Sequence, residues 1–178
     1  AFYCLGGEKL IVSGSSLSIF SPDDGGVMSY SDVNILGSVV AMCAQGEGAC
    51  IGAWNAVVIE GSVVNVVSQD GCAINANTVV CRHSYLSCVS SSEYNVVADE
   101  LHFDNSLVKV YGRSTSGAID AGSVVFGEGD YYIACDHPSV AGAIDTTKAI
   151  DASSVIINGG HVQVCSVGTY KSSSAIDT

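Results

Sequence analysis

Positive charge is scarce in this chain. Lys9, Arg82, Lys109, Arg113, Lys148 and Lys171 are its whole basic complement against 18 acidic residues, a net charge of −12. They form no basic stripe, which argues against nucleic-acid binding and against docking on anionic membranes. No apolar run approaches the roughly 20 residues that span a bilayer, so membrane insertion is not expected. The eight cysteines include no C-x-x-C motif, which leaves zinc and dithiol redox readings without support. Proline occurs twice and tryptophan once. There is no long helical pattern, no linker and no break in composition. The 178 residues therefore read as one domain, 1–178.

What the chain does have is repetition. Val57–Ala76 contains three short β-type runs separated by Glu60-Gly61-Ser62 and by Ser68-Gln69-Asp70-Gly71. The third run, a small residue followed by an aliphatic, recurs as Cys50–Ala53, Ala73–Ala76, Ala118–Ala121, Ala149–Ala152 and Ala175–Thr178, with weaker copies at Val27–Tyr30 and Asn95–Ala98. Its central residues, Met28, Ile51, Ile74, Val96, Ile119, Ile150 and Ile176, are spaced by 23, 23, 22, 23, 31 and 26. The long interval holds a duplicate, Ala143-Ile144-Asp145-Thr146, and Thr146–Lys148 reads as part of an insertion in one corner. A second register is independent of the first. A spacing of seven links Leu10 to Leu17, Val33 to Val40, Val57 to Val64, Val79 to Leu86, Leu101 to Val108, Val124 to Tyr131 and Val155 to Val162. Each is followed two residues later by another apolar or Cys residue, the period of a strand. The expectation is an all-β solenoid, a parallel β-helix of about seven three-stranded coils with a repeat near 23. The coils span 10–30, 33–53, 57–76, 79–98, 101–121, 124–152 and 155–178, and Ala1–Gly7 reads as an earlier third strand.

Ser154-Val155-Ile156-Ile157-Asn158-Gly159-Gly160-His161-Val162-Gln163-Val164, followed by Ala175-Ile176-Asp177-Thr178, resembles the repeat of secreted bacterial β-solenoid modules of the carbohydrate-binding-domain-like type. The resemblance covers most of the chain at the level of repeat pattern. It implies the solenoid fold and a carbohydrate-binding or adhesin role, with glycans as partners.

The residues themselves offer several candidate sites. Asp120, Asp151 and Asp177 share one outward third-strand position on successive coils, with Asn75 earlier in the column. Stacked carboxylates suit a Ca²⁺-bridged ladder; the favoured reading is of solvated corner residues that cap backbone N–H groups. No other cofactor is implied. The outward first-strand column reads Ile11, Asn34, Val58, Val80, His102, Val125, Ile156, and two second-strand columns read Val39, Val63, Tyr85, Leu107 and Phe20, Val67, Val89, Tyr111. A solvated face would alternate to polar residues here, so these columns predict a lateral-assembly surface; the competing explanation is β-propensity alone. Trp54, Tyr85, Tyr111, Tyr131 and Tyr132 are the candidate sugar platforms.

Eight cysteines in a Gly/Ser/Val-rich scaffold favour an oxidising, extracellular or cell-surface setting. A chain opening on Ala1 without Met suits removal of a secretory leader. Cys43 with Cys50, and Cys135 with Cys165, are candidate disulfide pairs, while Cys81 and Cys88 read as small hydrophobes in inward columns. His83, His102, His137 and His161 fall in different corners and strands, so no catalytic constellation is expected. A β-helical polysaccharide lyase, with Asp136, His137 and Asp145 in the 134–148 loop, is the least favoured reading. The leading one is a non-catalytic, secreted structural subunit that assembles with copies of itself, laterally through the apolar columns and end to end through uncapped coil edges.

Overall fold

The computed structural model describes residues 2–4, 9–91, 94–113, 117–136, 147–167 and 173–177. Strand β1 (Phe2–Cys4) precedes a coil of β2 (Leu10–Ser13), β3 (Ser16–Ser21) and β4 (Val27–Ser29), then one of β5 (Val33–Leu36), β6 (Val39–Ala44) and β7 (Ile51–Ala53). After β8 (Ala56–Glu60) and β9 (Val63–Ser68) the strands lengthen: β10 (Ile74–Arg82), β11 (Tyr85–Ser90), β12 (Val96–Asp104), β13 (Ser106–Gly112), β14 (Gly117–Phe126), β15 (Gly129–Asp136), β16 (Thr147–Ile157), β17 (His161–Val167) and β18 (Ser173–Asp177). Every pairing is parallel. One sheet runs β1-β4-β7-β10-β12-β14-β16-β18, with β2-β5-β8 joining it at β10, and the other runs β3-β6-β9-β11-β13-β15-β17. The chain is a parallel β-solenoid.

From the third coil onward the third strand of one coil and the first strand of the next are a single bent strand. The pairing skips one residue at each bend, at Asn77, Asp99, Gly122 and Ser153. Two corners are true turns and the third is a kink, a distinction that period alone does not carry. Inside, the aliphatic columns stack as expected: Val33–Val57–Val79–Leu101–Val124 on one wall and Val40–Val64–Leu86–Val108–Tyr131 on the other, all buried. One position differs. Val27, not Met28, pairs with Ile51 and enters the core. Met28 lies over Gly52, where a Cβ would stand 2.7 Å from its sulfur. A slip of one residue changes face, and with apolar residues at both 27 and 28 the pattern could not choose.

The first corner is built from a repeated backbone conformation. Gly14, Gly37, Gly61, His83 and Asn105 all take positive φ, between 46° and 57°. A serine follows each. The hydroxyls of Ser15, Ser38, Ser62, Ser84 and Ser106 each donate to the carbonyl two residues earlier, at 2.6–2.8 Å. The last four also accept the backbone N–H of the corresponding serine one coil earlier, at 3.1–3.2 Å. This ladder satisfies a buried corner that sheet pairing leaves open.

The second corner depends on crowding instead. A Cβ on Gly71 would lie 2.5 Å from the carbonyl oxygens of Glu47 and Gly48, and one on Gly25 would lie 2.4 Å from that of Ala49. Two glycine substitutions should therefore fail differently. Gly61→Ala has open space but the wrong φ, a cost of about 1–2 kcal/mol. Gly61→Asn should be milder, since Asn105 already holds this conformation. Gly71→Ala forces backbone apart and should cost about 3 kcal/mol or more. Urea unfolding of the three variants checks the order; equal losses at Gly61→Ala and Gly71→Ala would contradict it.

Candidate functional site: the outward columns

The second sheet turns three columns outward. Ser16, Val39, Val63, Tyr85 and Leu107 form one ridge and Phe20, Cys43, Val67, Val89 and Tyr111 the other. Between them runs Ser18, Ala41, Asn65, Ser87 and Lys109. Of these fifteen side chains only that of Lys109 is charged, and its ammonium lies 6.0 Å from the centre of the Tyr85 ring. Phe20, Val39, Val63, Val67, Leu107 and Tyr111 are exposed. Apolar ridges about 13 Å apart thus flank a trough of mostly small residues. The middle column is what column-by-column reading of the ridges missed; the signal was present in the alternation, at Ser18, Asn65 and Ser87.

The first-strand column is a weaker surface. Val58, Val80 and Val125 are half-buried, Ile156 is exposed, and Asn34 and His102 interrupt the run. Beside it, at the first corner, an open groove of about 600 Å³ collects Glu60, Arg82, His83, His102, Asp104 and Glu128. His83 and His102 thus share a groove that their sequence positions did not suggest. Glu60, Arg82 and Asp104 occupy successive coils in one column, so a guanidinium separates the two carboxylates. Such alternation offsets part of the carboxylate charge along the column, and Glu128 adds a third carboxylate to the groove. His102 also faces Glu100 at 3.7 Å. His161 stands apart on β17, in register with Asp130.

Asp120, Asp151 and Asp177 are in register on neighbouring strands. Lys148 meets Asp151 at 3.2 Å, and the Tyr94 hydroxyl donates to the same carboxylate oxygen at 3.5 Å. Among the described residues no group of three His, Cys, Asp or Glu side chains gathers to hold a metal, and the Asp177 side chain lies outside them. Burial, with the charge of Asp151 behind it, raises the Asp120 carboxyl above its usual 3.8, against the opposing pull of Lys148. The sign follows directly. A raised pKa in the folded state means that the fold binds this proton more tightly than the unfolded chain does. Stability contributed at Asp120 therefore falls as pH rises from 3.8 through the folded value, and the penalty is complete above it. Asp120→Asn should gain on the wild type in denaturant midpoint over that window and keep the gain at neutral pH. A midpoint difference that does not change with pH would count against this.

Neither expected disulfide pair is linked. Ala134 pairs with Cys165 and Cys135 with Ser166, so Cys135 faces inward and Cys165 outward. Adjacent positions on parallel strands point to opposite faces, which sets these two cysteines apart. Cys43 is half-exposed on the outer ridge, while Cys50 is buried and its thiol donates to the Val67 carbonyl at 3.0 Å. Burial pushes Cys50 and Cys81 up to about 11 and Cys88 higher still. Such thiols stay protonated at neutral pH and pack as small hydrophobes.

Tyr131 is not a sugar platform. It is 2% exposed, stacks on Phe103, meets Phe126 at a tilt, and donates its hydroxyl to the Glu128 carbonyl. Burial, reinforced by Asp104, pushes its phenol up to about 12. Trp54, Tyr111 and Tyr132 are exposed and Tyr85 half-exposed. Asp136 ends β15, where it accepts from the Tyr111 hydroxyl at 3.4 Å; His137 and Asp145 lie outside the described residues.

No protein-family model, no curated protein and no solved structure matches this chain. The class defined by its strand pairing is the parallel β-solenoid repeat protein, a fold compatible with structural, adhesive and carbohydrate-binding roles.

Proposed function

We propose that this solenoid is a non-catalytic structural subunit, exported to the cell surface or beyond, whose second sheet packs laterally against the same face of another copy. The observation that carries the reading is the pair of exposed apolar ridges beside a nearly uncharged trough, held in register over five coils. On a molecule with net charge −12, these five coils present one lysine and no carboxylate among fifteen outward positions before Asp130 continues the first ridge, so this is where two copies can meet with least repulsion. Five coils by six residues give a footprint of about 24 by 20 Å, and two such faces bury on the order of 1,000 Å². Ridges and trough are complementary to themselves, as an isologous contact requires. The separation of His161 from the other described histidines supports a non-catalytic role.

Sedimentation velocity over a hundredfold concentration range tests this, followed by negative-stain microscopy of the associated fraction. Side-by-side association with a two-fold or sheet-like repeat is expected. A monomer throughout the range, or rods joined only at their ends, would overturn the lateral reading.

A further inference from the structure

The outward face of the second sheet differs between its two ends. Its one lysine, Lys109, stands in the trough on β13, and one coil further on Asp130 of β15 continues the first ridge. At the other end β3 brings Ser16 to the first ridge, Ser18 to the trough and Phe20 to the second ridge. Midway between, β9 presents Val63, Asn65 and Val67, all exposed. Two fully overlapped copies related by a two-fold axis between their faces have two arrangements. With the axis along the solenoid the coils run parallel, and each ridge lies opposite the other ridge at the same coil. With the axis across the solenoid the coils run antiparallel, and each ridge lies on its own counterpart in reversed coil order.

We propose that two copies pack antiparallel, with the two-fold axis passing over Asn65 of β9. This rests on the lateral packing proposed above and adds its orientation. Charge decides against the parallel arrangement. There the trough lies on itself, so Lys109 meets Lys109 of the other copy as the sheets close to about 10 Å. Asp130 is at the same time desolvated against Ala134 of the other copy. Like charges juxtaposed on association oppose it. Antiparallel packing centred on β9 sends Lys109 to Ser18 at the far end, a hydroxyl acceptor and not a cation, and leaves Asp130 beyond the overlap. Moving the centre one coil towards β11 would lay Asp130 over Val39, so β9 is the centre that keeps this carboxylate in water. The same registration matches sizes across the contact. Ser16 faces Leu107, Val39 faces Tyr85, and Phe20 faces Tyr111. On the axis Asn65 faces Asn65, and an amide, which both donates and accepts, is complementary to its own copy. Val63 and Val67 likewise each face themselves.

Cys43, half-exposed on the second ridge, is a native reporter of this geometry. Antiparallel packing sets it against Val89 of the other copy, and parallel packing sets it against Val39. The two ridges are about 13 Å apart, so a short thiol crosslinker distinguishes them. Val89→Cys and Val39→Cys are each made together with Cys165→Ser, which removes the other half-exposed thiol. Each variant, with circular dichroism unchanged, is treated with ethanediyl bismethanethiosulfonate at a concentration where sedimentation shows association. Non-reducing gels measure the linked dimer, and mass spectrometry of that band identifies the linked positions. Val89→Cys should give roughly tenfold more linked dimer than Val39→Cys, joined through Cys43. Lys109→Ala should associate no more tightly than the wild type. Linked dimer dominated by Val39→Cys, none above the Cys165→Ser control in either variant, or tighter association of Lys109→Ala would overturn the antiparallel packing while leaving lateral association standing. A chain that is monomeric throughout the sedimentation range would remove both.

Discussion

Val67→Lys is expected to reduce self-association at least tenfold, and Val63→Lys with Val67→Lys to abolish it. Both valines are exposed on facing ridges of β9, in the middle of the five-coil face. On association the new ammonium groups would be desolvated against apolar side chains, and the two-fold partner would bring its own set opposite them. Neither substitution removes a buried contact, so the thermal midpoint should move by no more than a few degrees. Ser153→Lys, exposed at the third corner and remote from this face, is the control and should associate like the wild type. Equal association by Val67→Lys and Ser153→Lys would mean that another surface mediates contact.

Phe126→Ala should be the most destabilising of the core changes considered, at about 3–5 kcal/mol. Phe126 is fully buried, 5.7 Å from the Phe103 ring and 5.1 Å from Tyr131, and these three rings fill the interior where coils five and six meet. Alanine leaves a cavity that rigid sheets on either side cannot close. Phe126→Leu keeps most of the volume and should cost about 1.5 kcal/mol or less. A solenoid is stabilised coil by coil, so the damage should be local. Amide exchange should accelerate first in β12, β14 and β16, with β5, β6 and β8 protected longest. Uniform loss of protection would show that the coils unfold as one unit.

Much of this architecture was readable from the chain. Period two within a strand determines which side chains face inward, and a spacing near 23 determines which of them stack; both are properties of a one-dimensional pattern. Hence the aliphatic columns, the parallel pairing and the Asp120–Asp151–Asp177 register agree with the sequence reading. Where two neighbouring residues were equally apolar, as at Val27 and Met28, the pattern had no means of choosing, and the space above Gly52 chose instead.

Only the tertiary structure decided what surrounds each position. His83 and Asn105 take the backbone conformation of a glycine within the stacked corner, and the serines that follow them hydrogen-bond across coils as well as along the chain. Lys148 and Tyr94 converge on Asp151 although Tyr94 lies 57 residues away from it. Trp54 and Tyr30 come into ring contact because stacking brings the same corner of two coils together. Alternation along a strand is a local consequence of pleating, so the sequence by itself determined which face each residue takes. The neighbours on that face are set by stacking between coils, where crowding, charge and hydrogen-bond geometry combine in three dimensions.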